Sequence, residues 1–267
     1  MNQKILHIKL THLKKLDLFK NPKFFESFES LEQAISSLNE NDLEPQARKR
    51  LKYICTKNGA EAYKKALQGA LNNLTGAIGE VIAAGYLNLN GDKDIYPSER
   101  ISNKIKRNYK MATGKRDAGV DICSIDAQSK KHKAVQVKWF SDGEDKIVPI
   151  SKLATAFSDS ENFPHRTIIT NAKDISKSLK NKSRLTVVNR IRLKNYFTKT
   201  NLKKLYKLIK RSENPTPPKF DPLPHQVKAI DDCLKFLKDH PMGQLIMACG
   251  TGKTLTSMLV AKGLGAK

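Results

Sequence analysis

No run in these 267 residues approaches the ~20 uninterrupted apolar positions that a membrane span requires. Met1 to Lys15 alternates Lys and His with apolar residues, so it lacks the hydrophobic stretch of a secretory leader, and a cytoplasmic protein with no membrane partner is expected. Cysteine is sparse: Cys55, Cys123, Cys233 and Cys249 lie far apart without a CxxC pair, which argues against a disulfide framework and against a zinc site. Internal repeats are lacking. Acids are scarce too, 26 against 49 Lys and Arg.

That deficit leaves a net charge of +23, more than solubility requires and suited to a polyanionic partner. From Asp221 to Lys267 six Lys face four Asp, so the first 220 residues carry +21. Asn171 to Arg211 alone holds 14 Lys and Arg against the single acid Asp174. Such a density can neutralise several phosphates or simply solvate a surface. Lys180, Lys182 and Arg184 are the candidates for phosphate contacts in this run; Lys115 and Arg116 could serve the same purpose or merely solvate a loop.

The patterning predicts an α/β protein; its hydrophobic content, 39%, suffices for a core. Met1 to about Leu89 reads as helical, with Phe25, Phe28, Leu31, Ile35 and Leu38, and then Leu67, Leu71, Leu74, Ile78 and Val81, at helical spacing. Gly91 to Pro97 reads as a turn and Ser98 to Arg116 as a basic connection. Val120–Ile125 and Ala134–Phe140 read as a hairpin. A helix over Ile150–Phe157, a strand over Arg166–Thr170, a helix over Ala172–Leu179 and a strand over Leu185–Val188 follow. The Pro-rich stretch 211–224 reads as a linker. The expected organisation is a helical lead-in over 1–72, a main domain over 73–210, the linker, and a partial domain over 225–267. The last begins with an amphipathic helix from His225 to His240, then a strand from Gly243 to Met247, a Gly-rich turn, and a helix from Lys253 to about Lys262.

That turn, Met247-Ala248-Cys249-Gly250-Thr251-Gly252-Lys253-Thr254, has the context of a phosphate-binding loop. The glycines let backbone N–H groups converge on phosphate oxygens, Lys253 neutralises the outer phosphates, and the Thr254 hydroxyl suits Mg2+. Met247 stands where the general loop pattern has Gly. The segment resembles motif I of superfamily 2 helicases, especially the motor subunits of type I and type III restriction enzymes. Leu223-Pro224-His225-Gln226 is similar to the adenine-reading Q-motif of those motors. The resemblance implies an ATP site of Gln226, Gly250, Thr251, Gly252, Lys253 and Thr254, with the first strand, loop and helix of a RecA-like lobe. The acids that hold Mg2+ and water in such motors do not occur in this sequence, so ATP hydrolysis is not expected of this chain alone.

In the hairpin, Asp121 lies in Gly119-Val120-Asp121 and Gln136 and Lys138 lie in Gln136-Val137-Lys138. Strand alternation puts Gln136 and Lys138 on one face and Val135, Val137 and Trp139 on the other. Each residue alone has a plain reading, Asp121 as a turn cap and Lys138 as a guard on an edge strand. Glu80 is conspicuous because Ala77 to Leu87 is apolar on nearly every side, and a buried carboxylate needs a cation or partner. These residues, with Ile168-Ile169-Thr170-Asn171 downstream, resemble the Mrr-like branch of the PD-(D/E)XK restriction endonucleases from about Asn73 to Tyr196. The resemblance implies a mixed sheet flanked by helices and a Mg2+-dependent DNA endonuclease. Asp121 would be the bridging metal ligand, Glu80 a second carboxylate ligand or a water-orienting group, Gln136 a ligand through its carbonyl oxygen, and Lys138 the charge stabiliser.

Nuclease followed by motor looks like the front of single-chain restriction-helicase enzymes. Double-stranded DNA is the expected partner, with methyltransferase or specificity modules, or the rest of the helicase, alongside. Two alternatives stay open: a basic DNA-binding module without catalysis, and a structure-selective repair nuclease.

Overall fold

The computed structural model describes residues 16–111, 119–180, 183–211, 222, 224–247 and 252–265. It divides into two compact units, Met1–Pro215 and Thr216–Lys267.

The first unit begins with helices α1 (Asp17–Lys20), α2 (Phe28–Ser36) and α3 (Pro45–Leu89). The Ser27 hydroxyl caps α2 by accepting from the Ser30 N–H at 3.0 Å, and Phe28, Leu31, Ala34 and Ile35 form its buried stripe. Pro45 starts α3, where a missing N–H costs nothing. The helical path is interrupted at Gly59 (φ 81°, ψ 178°) and continues through residue 72. Its first half is largely exposed, whereas ten residues are buried, nine of them between Thr75 and Leu87.

Strand β1 (Lys93–Pro97), helix α4 (Asn103–Asn108), and strands β2 (Ile122–Ile125) and β3 (His132–Lys138) come next. They are followed by β4 (Ile147–Val148), α5 (Ala154–Asp159), β5 (His165–Thr170), β6 (Asp174–Ile175), α6 (Lys177–Lys180), β7 (Leu185–Val188), α7 (Arg190–Tyr196) and α8 (Lys199–Arg211). The main sheet has the order β1-β2-β3-β5-β7, so β3 is its middle strand. β1, β2 and β3 pair antiparallel, while β3, β5 and β7 pair parallel. β4 and β6 form a separate parallel pair.

Both faces of the sheet are covered, which makes this the mixed α/β sheet flanked by helices that the sequence implied. One face carries Ile122, Val135, Val137, Ile169 and Val188 into a large core with Ile78, Val81 and Ile82 of α3, Phe28 and Leu31 of α2, and Leu202 and Leu205 of α8. The other face feeds two smaller clusters, one around Cys123, Ala134 and Phe163 and one around Val148, Leu153 and Ile168. Gly79 explains how α3 reaches the sheet so closely: a Cβ there would stand 2.4 Å from the Trp139 Cβ. Among the described residues no helix is long and apolar enough to cross a membrane.

Several local expectations change. Gly91–Pro97, read as a turn, contains the edge strand β1, where Pro97 closes the strand and its missing donor is tolerated. Ser98–Arg116 is not a plain loop: residues 98–100 form a 3-10 turn and α4 follows, capped by the Ser102 hydroxyl accepting from Ile105 N–H. Ala172–Leu179, read as one helix, splits into β6 and the one-turn α6, because Ile147–Val148 offers a distant ladder partner that local periodicity does not reveal.

The second unit contains α9 (Pro224–Phe236) and α10 (Lys253–Gly263). Leu234 of α9 lies against Gly263 of α10. Residues 242–247 form no strand. A strand exists only with a ladder partner, and the described residues of this unit supply none.

Candidate active site

The β2–β3 hairpin is closed by Asp126, whose Oδ1 accepts from the N–H groups of Gln128 at 3.1 Å and Ser129 at 2.8 Å. Its register pairs Ile122 with Val135, which sets Asp121 opposite Gln136. Asp121 keeps the ladder on both sides: its N–H donates to the Val135 carbonyl at 3.0 Å and its carbonyl accepts from the Ser98 N–H at 2.9 Å. Gly119, two residues earlier, has φ +57°, and a Cβ there would stand 2.6 Å from the Ala156 backbone nitrogen. Only glycine lets the chain enter β2 this close to α5.

The Asp121 Oδ2 accepts from the Val137 N–H at 2.6 Å and from the Gln136 amide nitrogen at 2.5 Å. That arrangement excludes the turn-cap reading of Asp121. Gln136 is 6% exposed and Asp121 half-buried, so the pair is drawn out of solvent. Lys138 stands two residues beyond Gln136 on the same strand face, half-buried at the end of β3 and in register with Thr170 of β5. The middle position of β3 rules out an edge-guard role for this lysine.

Glu80 follows Gly79 on α3 and is half-buried between Gly79 and the buried Val81. It comes from the helical layer on the Val135–Val137–Trp139 side, whereas Gln136 belongs to the opposite row of β3. The structure therefore joins Asp121 to Gln136 by direct contact, puts Lys138 on the Gln136 row, and brings Glu80 in on a separate element.

Metal binding can be tested against this donor set. Among the described residues no three His, Cys, Asp or Glu side chains gather as a metal cluster. A cation here would need the Gln136 oxygen as well as carboxylates. Oxygen and nitrogen of a glutamine amide are exchanged by a half-turn of the side chain, and that turn would set the Gln136 Oε1 beside the Asp121 carboxylate. Paired hard oxygens of this kind fit Mg2+.

The roles of two supporting groups were not legible in the sequence. Asn171, of the Thr-Asn pair, accepts from the Phe140 N–H and donates to the Phe140 carbonyl, both at 2.8 Å, so its amide clamps the chain just beyond Lys138. At the other end of β3, Lys133 donates to Asp92 at 2.9 Å and to Asp126 at 2.7 Å, and the Ser124 hydroxyl also donates to Asp92. Burial opposes the charge on Asp126, but Lys133 and Ser129 overrule it and hold the carboxyl below the usual range. Burial likewise works against the Lys133 ammonium and is outweighed by the two aspartates, which raise it. The alternation of β3 was the available signal: Lys133 shares the row of Val135 and Val137, where a cation requires acids.

Of the expected phosphate contacts, Lys115, Arg116 and Lys182 lie outside the described residues, and Lys180 ends α6. Arg184 is exposed before β7, with φ 63° and its carbonyl accepting from the Arg166 N–H at 2.9 Å.

In the second unit Gly250 and Thr251 lie outside the described residues. Gly252 adopts the left-handed region (φ 82°, ψ 35°) and opens α10. The Gln226 side chain is 4% exposed, and its amide nitrogen lies 2.3 Å from where a Gly252 Cβ would stand. Glutamine and loop glycine are thus in contact. Lys253 and Thr254 are exposed on the first turn of α10, with the Lys253 ammonium donating to the Met247 carbonyl at 3.4 Å.

Comparison with known proteins agrees with this order of elements. Residues 101–202 match the family model Mrr_cat_2, described as a restriction endonuclease, and residues 219–267 match ResIII, described as the type III restriction enzyme, res subunit. No curated protein and no solved structure matches the chain. The chain carries a restriction endonuclease region of the Mrr_cat_2 family followed by a helicase region of the type III restriction enzyme res-subunit family.

Proposed function

We propose that the first unit is a Mg2+-dependent endonuclease acting on double-stranded DNA, coupled in the intact protein to an ATP-driven superfamily 2 motor. The observation that carries this is the contact of Asp121 with Gln136 across β2 and β3, with Lys138 on the same strand face. Asp121 and the rotated Gln136 amide would hold the cation, and Glu80, carried by the helical layer on the other face of β3, would have to reach round the strand end to add a second carboxylate or orient water. Bound Mg2+ supplies acidified water and Lewis-acid stabilisation of a phosphodiester under attack. Lys138 contributes a fixed positive charge for the anionic oxygens of the transition state. Lys115, Arg116, Lys180, Lys182 and Arg184 would contact DNA phosphates.

The segment 225–267 would supply the start of the ATP site through Gln226, Gly250, Thr251, Gly252, Lys253 and Thr254, with Gln226 reading the base. Residues 1–72 form a helical lead-in, 73–210 the nuclease and 211–224 the linker in this reading. Target recognition would come from methyltransferase or specificity modules.

Supercoiled plasmid incubated with the protein and Mg2+ or Mn2+ provides the test. Nicking that needs the cation and falls at least ~100-fold in both Asp121→Ala and Lys138→Ala is the expected result. Wild-type protein that retains DNA without nicking it would leave a binding module in place of an enzyme. Cutting confined to branched substrates would instead assign it to structure-selective repair.

A further inference from the structure

Three members of the basic run 171–211 are paired with acids within the fold. Arg190 is held by Glu32 at 2.8 Å and Glu144 at 3.2 Å, Lys194 by Glu29 at 2.5 Å, and Lys173 by Asp145 at 3.9 Å. The α8 helix behaves differently. Its apolar stripe, Leu202, Leu205 and Ile209, is buried, with Leu205 against Gly85 of α3 and the Tyr206 hydroxyl donating to the Lys20 carbonyl at 3.1 Å. The helix is therefore anchored along its length. Its other face presents Lys199, Lys203, Lys204 and Lys207, all exposed and none in an ion pair among the described residues.

Lys199, Lys203 and Lys207 follow one another at intervals of four, a single row along the helix spanning about 12 Å. Like charges at this spacing repel, so the row weakens the helix that bears it unless an anion lies alongside. The phosphates of one DNA strand lie farther apart along the winding backbone than their ~3.4 Å axial rise, so the three lysines can face about three phosphates. A membrane surface is the poorer match, because the apolar stripe that would enter lipid is already spent on the core.

We infer that the lysine row of α8, Lys199, Lys203 and Lys207, is a phosphate-tracking surface for the backbone of duplex DNA, separate from the Asp121–Gln136 site. The inference takes its ligand from the proposed nuclease reading but does not require cleavage. Contacts of this kind fix orientation on the duplex and carry no sequence preference.

The test uses the full chain with a fluorescent duplex in Ca2+, across a salt series. It compares wild type, a triple variant of Lys199, Lys203 and Lys207 to Ala, and a control triple of Lys52, Lys57 and Lys64 to Ala that removes equal charge from the exposed first half of α3. Circular dichroism verifies folding of each. Loss of three phosphate contacts lowers the slope of log Kd against log salt by about 2.7. At moderate salt the first triple should bind at least ~10-fold more weakly while the control stays within ~2-fold. An unchanged slope in the first triple, an equal loss in the control, or binding to anionic phosphatidylserine vesicles as tight as to DNA overturns the inference. Plasmid nicking is scored in parallel: a wild type that never nicks but shows the slope change ends the nuclease reading and supports the α8 surface, whereas normal nicking with an unchanged slope ends the α8 surface alone.

Discussion

The Gln136 amide donates to the Asp121 carboxylate at 2.5 Å, so a neutral donor stands where a second acid would face the first across β2 and β3. Without a cation, Gln136→Glu would put two carboxylates in contact in a half-buried position, and like charges this close resist joint ionisation. The expected cost in EDTA is about 2 kcal/mol, or a fall in Tm of roughly 4–8 °C for a domain of this size. Mg2+ or Mn2+ should restore most of the loss, because the same two acids then share a cation. Thermal melts of the variant with and without cation decide the matter. Identical melting in both would count against a metal site here.

Gly79 and Gly76 lie on the same helix but face different surroundings. A Cβ at Gly79 would meet the Trp139 Cβ at 2.4 Å and Cγ at 2.7 Å, atoms too near the backbone to swing away, whereas nothing lies within 4 Å of one at Gly76. Gly79→Ala should cost about 1–3 kcal/mol by overpacking and, by pushing α3 from β3, reduce nicking as well. Gly76→Ala should be neutral or stabilise by about 0.5–1 kcal/mol, since alanine is the better helix former. Urea denaturation of the two variants provides the measurement, and equal effects would show that the α3–β3 approach is not close-packed.

Lys133 joins the buried Asp92 and the half-buried Asp126 in a triad at the start of β3. Asp126 is held below its ordinary range, so its contribution is complete above the unfolded carboxylate value and is lost as pH falls through the folded one. Lys133 is raised, so its contribution is complete below the unfolded lysine value and is lost as pH rises through the folded one. The triad therefore acts fully between about pH 4 and pH 10. Lys133→Met, which strands two acids, should destabilise by about 3–5 kcal/mol at pH 7. The gap to wild type should narrow as pH falls below about 4, where the unfolded chains and the stranded acids of the variant take up protons. Urea unfolding across that range measures it, and a pH-independent difference would reduce the effect to packing alone.

The local pattern of the chain was enough to determine the β2–β3 hairpin, the strands β5 and β7, the amphipathic helices, and the placing of Gln136 and Lys138 on one strand face, because each of these depends on spacing within a few residues. The motifs around Asp121 and Lys253 identified both family regions for the same reason: a phosphate loop or a two-strand site is a short-range constellation. Tertiary structure decided the rest. It made Gly91–Pro97 an edge strand, split Ala172–Leu179 through a ladder with Ile147–Val148, left 242–247 without a strand partner among the described residues, and put β3 at the centre of the sheet. It also determined which lysines of one basic run are bound to acids far along the chain and which remain at the surface. Strand pairing and charge pairing join residues distant in sequence, so their partners become readable only when the chain is folded.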